Sequence, residues 1–310
     1  GELDYMSKHG SKRWIADELV GGTLRVISLR MDYFTDPQSP QTQLNDGNKA
    51  YISRYTLGRD YHKLIRSRLK KLIQYIREQA DFYQFRAFVD SAPILERAFA
   101  HKAGLGWFGK NTMIINRGAG SWFFLGEIFT DLPLPLDAPY EKEHCGSCTA
   151  CLDICPTQAF KGPYILDSRR CISYLTIELK GSIPIELRSK MGNRIFGCDD
   201  CQLVCPWNKF SKPSNELDFT PRHQLDSRSL VELFSWDEDT FLQKTEGSAI
   251  RRAGYESWLR NIAIALGNAP TSPEIEAALQ SKTNYPSAIV QEHVTWALIQ
   301  HNKNNTLPQD

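Results

Sequence analysis

No apolar run in this chain is long enough to span a bilayer, and the opening segment GELDYMSKHGSKRW lacks the apolar core of a secretory signal. Those absences point to a cytoplasmic protein with no membrane partner. Without export there is no oxidising compartment, so disulfides are not expected either. Net charge is only +1, which excludes a global field drawing the chain to nucleic acid but leaves room for local patches. No dinucleotide fingerprint opens a helix directly after a strand. The one G-x-G-x-x-G spacing, in GLGWFGKNT at 104–112, follows a helical stretch, so a Rossmann site is unsupported. That loop reads either as a tight turn needing small residues or as backbone amides brought close to a bulky cofactor, with Lys110 and Asn111 adding polar contacts.

What is present suits a globular chain of two or three domains: 310 residues, 41% hydrophobic and 24% charged. The expected class is α+β. Strands are expected in GGTLRVISLRMDY (21–33) and FRAFVD (85–90). Between them, 59–77 carries seven Lys or Arg against one Asp, with Leu64, Leu69, Leu72, Ile73 and Ile76 at helical spacing. This basic helix is either a core-packed element with a solvated face or a nucleic-acid contact. NTMIIN (111–116) and GSWFFLGEIF (120–129), flanking the turn RGAG, are expected to pair as a hairpin. Proline-rich TDLPLPLDAPY (130–140) marks a boundary. The C-terminal third reads as helical. SWLRNIAIALGN (257–268) and QEHVTWALIQHN (291–302) superpose at an offset of 32 residues, pairing Ile262 with Val294, Ala265 with Ala297 and Leu266 with Leu298, as helical repeats or a generic helical domain do.

The cysteines carry the chemistry. Seven of the eight lie in two short runs. Cys145, Cys148, Cys151 and Cys155 follow C-x2-C-x2-C-x3-C-P, the bacterial ferredoxin spacing, in which the fourth thiolate reaches a different [4Fe-4S] cluster from the first three. Cys198, Cys201 and Cys205 give C-x2-C-x3-C-P, and Cys171 stands between the arrays. Two cubes need eight thiolates and eight exist. The partition this implies puts Cys145, Cys148, Cys151 and Cys205 on one cluster and Cys155, Cys171, Cys198 and Cys201 on the other, with Cys171 supplying the ligand the second run lacks. Structural zinc is the competing reading, but C-x2-C-x2-C crowds a tetrahedral ion. Ferredoxins that only carry electrons are far shorter, so the rest of the chain is expected to bind an electron acceptor.

FVDSAPILERAFAHKAGLGWFGKNTMII, GSWFFLGEI, RCISYLTIELKG and FGCDDCQLVCPWN, in that order along the chain, resemble the epoxyqueuosine reductase family. The resemblance runs through nearly the whole chain, with an N-terminus expected to be incomplete. It implies three units: a mixed α/β cobalamin-binding and catalytic domain at 1–137, a ferredoxin-like domain with two [4Fe-4S] clusters at 138–212, and HEAT-like helical repeats at 213–310. It implies reduction of the epoxide of epoxyqueuosine, at the wobble position of tRNA with a GUN anticodon, to the cyclopentene of queuosine. The implied cofactors are cobalamin and the two clusters, fed by a donor such as a flavodoxin or ferredoxin system; nothing demands more than a monomer. Asp90, in FVDS, is implied as the proton donor, its pKa expected to be raised by partial burial; without the resemblance it reads as a helix N-cap. Implied cobalamin neighbours are Ser53, Tyr55, Asp90, Lys110, Asn111, Ile114, Ser173, Glu178 and Lys180. DYHKLI (60–65) resembles a D-x-H-x-x-G cobalamin motif without its glycine, which fits a cobalt without a histidine ligand. Candidate tRNA contacts are Lys63, Arg66 and Lys70 on the basic helix and Arg251, Arg252 and Arg260 in the C-terminal part. The alternatives are a reductive dehalogenase-like cobalamin enzyme acting on a small molecule and a non-catalytic tRNA-binding iron-sulfur protein.

Overall fold

The computed structural model describes residues 3–35 and 40–306. A three-stranded antiparallel sheet lies at the centre of the N-terminal part. Its strands are β1 (Arg25–Asp32), β2 (Phe85–Phe88) and β3 (Phe123–Thr130), in spatial order β1-β3-β2. Glu127 of β3 sits opposite Ser28 of β1 and Phe88 of β2.

The two faces of β3 are covered by different helices. Helix α1 (Tyr61–Arg77) starts where the Asp60 carboxylate accepts the backbone N–H of His62, a side-chain N-cap. Tyr61, Ile65, Leu69 and Ile73 then recur every four residues along one buried stripe, against Ile27, Leu29 and Ile128 of the sheet. Gly126 makes that approach possible: a Cβ there would lie 3.1 Å from both Ile65 Cγ2 and Leu69 Cδ1. Most of the helix's basic residues fall outside the stripe. On the opposite face, helix α2 (Glu96–Lys102) packs Phe99 against Phe88 and Phe129, and Ala100 against Phe123.

Two sequence expectations change here. NTMIIN and GSWFFLGEIF do not form a hairpin. Ile114–Ile115 pairs instead with Trp107–Phe108, only the isolated bridge Asn116–Gly120 survives at the expected turn, and β3 joins the central sheet. Nor does Asp90 cap a helix, because α2 begins six residues later with Leu95 at its N-cap.

The cysteine-bearing stretch is stitched to the N-terminal part by a parallel pairing of Tyr51–Ile52 with Arg194–Phe196. Buried Asp199, between two cysteines, accepts hydrogen bonds from Tyr51 Oη at 2.9 Å, the Arg54 backbone N–H at 2.8 Å and Ser53 Oγ. Helix α3 (Ile172–Ile177) follows Cys171 directly. Helices α4 (Tyr255–Gly267), α5 (Pro273–Gln280) and α6 (Ala288–Thr306) close the chain, and one apolar cluster unites Ile52, Ile177 and Phe196 with Ile262, Leu266, Val294 and Ala297. Ile262, Ala265, Val294 and Ala297, the positions matched by the 32-residue offset, are all buried.

Candidate functional site

A cavity of about 1410 Å³ opens between α1, the Asp90–Arg97 segment, α3 and the 246–252 stretch. Ordinary small-molecule pockets run to roughly 300–1,000 Å³, so this one is large enough for a bulky cofactor together with part of a second ligand.

Asp90 stands on its wall with 53% of its side chain accessible. One oxygen, Oδ2, receives two partners: Tyr61 Oη donates to it at 2.7 Å and His62 Nε2 lies 3.0 Å away. The other ring nitrogen of His62 is 2.7 Å from Asp60 Oδ1. Asp60 and Asp90 thus bracket the imidazole. Burial works against charge on His62, yet the hydrogen bonds to Asp60 and Asp90 outweigh it and lift the pKa to about 9. For Asp90 burial acts upward, but the bonds from His62 and Tyr61 win and hold the carboxyl below its ordinary value. The expected rise through burial is therefore reversed, because the apolar strand delivers Asp90 to a cation and a phenol rather than to an apolar pocket. At neutral pH the pair is Asp90 carboxylate with imidazolium, and the proton rests on His62.

Two further carboxyls lie beside Asp90. Glu96, the first residue of α2, lines the cavity, and burial followed by the charge of Asp90 lifts its pKa to about 8. Glu127 behind it is fully buried, and burial followed by Glu96 raises it as well. None of Tyr61, His62, Glu96 and Glu127 was singled out from sequence as a site residue. His62 had a signal, as the D-x-H of DYHKLI, but its partner Asp90 is 28 residues away.

Four implied cobalamin neighbours line the cavity: Tyr55, Asp90, Ser173 and Glu178. Ser53 is buried against Asp199, Ile114 lies in an apolar cluster, Lys180 Nζ donates to the Ala253 carbonyl, and Asn111 Nδ2 donates to that of Cys201. Lys110 Nζ donates to the carbonyls of Gly146 and Cys148, tying the glycine-rich loop to the first cysteine run. Lys63, Arg66, Arg251 and Arg252 also line the cavity, and Arg252 is ion-paired with Glu178. Lys70 faces a separate groove of about 540 Å³ with Arg66, Arg77 and Arg86. Arg260 cannot touch a tRNA surface: it is fully buried and donates to the carbonyls of Leu175, Leu179 and Gly181.

None of the eight cysteines is paired in a disulfide. Burial pushes Cys151 up to about 11, with Cys205, Cys145 and Cys148 adding to the rise. Burial likewise raises Cys171, where Cys155 contributes, and Cys201, where Cys171 contributes. Among the described residues no three His, Cys, Asp or Glu side chains converge on one point as a single metal ion requires. Cys171 itself borders the cavity, one residue ahead of α3. No helix among the described residues is long and apolar enough to cross a membrane.

Comparison with known proteins agrees with this arrangement. Residues 144–208 match the family model described as a 4Fe-4S double cluster binding domain, and residues 13–91 match that described as epoxyqueuosine reductase QueG, DUF1730. The chain is 62% identical to the epoxyqueuosine reductase of Pseudomonas aeruginosa over 97% of its length and 83% of the relative's. A crystal structure of epoxyqueuosine reductase with an epoxyqueuosine-modified tRNA-Tyr stem loop superposes with a TM-score of 0.81 at 30% identity, covering 92% of this chain and 75% of that one. The Bacillus subtilis enzyme, described with its aspartate-bearing catalytic loop swung out of the active site, gives a TM-score of 0.83 at 29% identity, over 94% and 77% of the two chains. With its iron-sulfur binding domain, its mixed α/β sheet and an identity that extends over almost every residue, the chain belongs to the epoxyqueuosine reductase family of oxidoreductases.

Proposed function

We propose that this protein reduces epoxyqueuosine to queuosine at the wobble position of tRNA inside the 1410 Å³ cavity. The observation that carries this reading is the meeting, on one cavity wall system, of Asp90 with its proton-charged partner His62 and of Cys171 from the second cysteine set. A proton source and an electron entry point then face the same space. Removing an epoxide oxygen needs both.

The residues fit cobalamin. The cavity exceeds an ordinary ligand pocket, and both nitrogens of His62 are already held by carboxylates, which suits a cobalt without that histidine as ligand. Tyr55, Ser173 and Glu178 would hold it from the cavity wall, and Ser53, Lys110, Asn111, Ile114 and Lys180, which do not line the cavity, would act through the backbone and core contacts they make around it. When bound, cobalamin supplies a low-valent metal able to attack or reduce the epoxide. The clusters that feed it divide as Cys145, Cys148, Cys151 and Cys205 on one side and Cys155, Cys171, Cys198 and Cys201 on the other, a partition supported by the neighbours of Cys151 and Cys171, while Cys201 has both Cys171 and Cys151 near it.

Asp90 is the group that hands a proton to the epoxide oxygen. Because its own carboxyl is ionised at neutral pH, it draws that proton from His62 as negative charge develops on the oxygen. Tyr61 fixes the receiving oxygen and Asp60 keeps the imidazole charged and oriented. The Bacillus subtilis relative lends support, since its catalytic loop is named for an aspartate and described as swung out of the active site. The tRNA-bound relative supports an anticodon stem loop over the cavity mouth, with Lys63, Arg66, Lys70, Arg251 and Arg252 facing phosphates. The layout proposed for the whole is a catalytic unit at 1–137, the cluster unit at 138–212 and a helical unit at 213–310.

The test incubates cluster-loaded protein, cobalamin and a low-potential reductant with tRNA carrying epoxyqueuosine, followed by digestion to nucleosides and mass analysis. The expected product has lost one oxygen. An unchanged epoxide peak, with turnover of a small organohalide instead, would move the protein to dehalogenase-like chemistry.

A further inference from the structure

Taking an epoxide to an alkene breaks both C–O bonds, forms one C=C bond and releases the oxygen as water. The balance requires two electrons, entering singly through the iron-sulfur clusters from a low-potential one-electron donor protein, and two protons. Asp90, with His62 behind it, accounts for one proton. The second needs a source.

Glu127 is fully buried and Glu96, half-buried on the cavity wall, acts on it electrostatically; the first proton transfer uses neither. Glu127 projects from β3 on the side of α2, alternating with Phe124 and Ile128 and lying in register with Phe88. Its Oε1 has only Ser28 Oγ, at 3.4 Å, and its Oε2 is buried without a hydrogen-bond partner. Glu96 opens α2 on the cavity wall with its Oε1 likewise buried and unpartnered, while the backbone N–H of Asp90 faces its carboxyl. Among the described residues neither carboxyl has an ion-pair partner, and the charges of His62 and Arg97 offset only part of the burial at Glu96. Arg97, next in sequence, gives Nη1 to the Thr112 carbonyl, and His62 is bracketed by Asp60 and Asp90. An ionised carboxylate with an unsatisfied buried oxygen is costly, and a second beside it more so. Both groups are therefore held as neutral acids, in line with the upward direction of each.

Resting on the reading of the cavity as the place of epoxide reduction, we propose that Glu96 is a second catalytic acid, which delivers the other proton of the departing water, and that Glu127 is a neutral acid behind it that positions it. The geometry divides the labour. Asp90 and Glu96 flank one turn of chain and face the same space, one recharged from His62 and the other arriving already protonated.

The test compares wild type with Glu96→Gln, Glu96→Asp and Glu127→Gln, all cluster-loaded, by two readouts. In infrared spectra taken across the alkaline range, wild type should show a protonated-carboxyl C=O band that disappears as pH rises through about 8 and is missing in Glu96→Gln. A second band, persisting to higher pH, should be missing in Glu127→Gln. In single-turnover reduction of epoxyqueuosine tRNA, the wild-type rate should fall on the alkaline side with the same midpoint, and Glu96→Gln should lower it about 10²-fold or more and abolish that limb. Glu96→Asp should recover part of the rate with its limb at lower pH, which loss of folding could not produce. Spectra without protonated carboxyl bands at neutral pH overturn the proposal, and so does a Glu96→Gln enzyme with an unaltered limb beside an active wild type. An inactive wild type instead defeats the reading of the cavity, and the second acid falls with it.

Discussion

His62 Nε2 lies 3.0 Å from Asp90 Oδ2, and Asp60 holds the opposite nitrogen of the same ring. The bridge makes the fold and the chemistry depend on pH in one direction. His62 has its folded-state pKa lifted from 6.5 to about 9, so its proton stabilises the fold in full below the lower value, and that contribution is lost as pH rises through the upper. Asp90 is depressed, so its contribution is present above its ordinary carboxyl range and lost as pH falls. Denaturation midpoints of wild type and His62→Gln should differ most just below pH 6.5, where Asp90 is still ionised, narrow through neutrality and converge above about pH 9. Equal separation at every pH would remove the charged bridge.

Catalysis should split the same residues. Asp90→Asn removes the proposed proton donor and should lower turnover by about 10²–10⁴-fold with cluster content unchanged. His62→Gln leaves Asp90 in place without its proton supply. Its loss should be smaller at low pH, where Asp90 takes a proton from solvent, and largest near neutrality. Identical pH profiles for the two variants would contradict the order His62 to Asp90.

Replacement of Cys205 by Ser should cost one cluster and spare the other, although Cys205 lies more than fifty residues from Cys151 in sequence. Iron should fall from roughly eight to about four per chain, the content of one cube. Cys171→Ser is the sharper case, since Cys171 belongs to neither run. Retention of all the iron in Cys171→Ser would require another ligand in its place.

The difference between what could and could not be read beforehand follows sequence distance. Cysteine spacing is local, so C-x2-C-x2-C-x3-C-P announced cubes, and residues 144–208 match a 4Fe-4S double cluster binding domain. The stripe Tyr61, Ile65, Leu69 and Ile73 is equally local and marks the helix. The environment of Asp90 is not local: it is set by His62 from another element, and its pKa moves opposite to the expectation from strand burial alone. Arg260 misled for a related reason. A cation in a helix reads as solvent-facing, whereas here it donates to the carbonyls of Leu175 within α3 and of Leu179 and Gly181 just after it, a role that exists only once α4 is docked. Glu96 and Glu127 are silent in sequence because only packing reveals that each has a buried oxygen without a hydrogen-bond partner.

Asp199 is a structural hinge point between the N-terminal part and the cysteines. Its fully buried carboxyl accepts from Tyr51, Ser53 and the Arg54 backbone, and those bonds hold the Ser53–Tyr55 segment beside the second cysteine run. Asp199→Ala leaves buried donors unsatisfied, at about 1–3 kcal/mol for each group that finds no other partner. The thermal midpoint should drop and the cluster ligated by Cys198 and Cys201 should become more labile to chelator. Asp199→Asn keeps the acceptor oxygen and should recover much of the loss. A cluster equally stable in Asp199→Ala would separate this carboxyl from the iron-sulfur region.

The basic groove beside α1 gives the last prediction. Arg66, Lys70, Arg77 and Arg86 line about 540 Å³ along the edge strand β2, next to the cavity mouth that Arg66 shares. None of the four has an ion-pair partner among the described salt bridges, while Arg252 at the mouth is already committed to Glu178. Free cations release phosphate counterions on binding, so Lys70→Ala and Arg86→Ala should each weaken tRNA affinity without changing sequence preference. Each should reduce the slope of log affinity against log salt by roughly one phosphate contact. Arg252→Ala should change that slope less, because its charge is compensated before tRNA arrives. Binding isotherms at several salt concentrations with an anticodon stem loop decide it: a slope unmoved by Lys70→Ala and Arg86→Ala would take the groove out of the tRNA path.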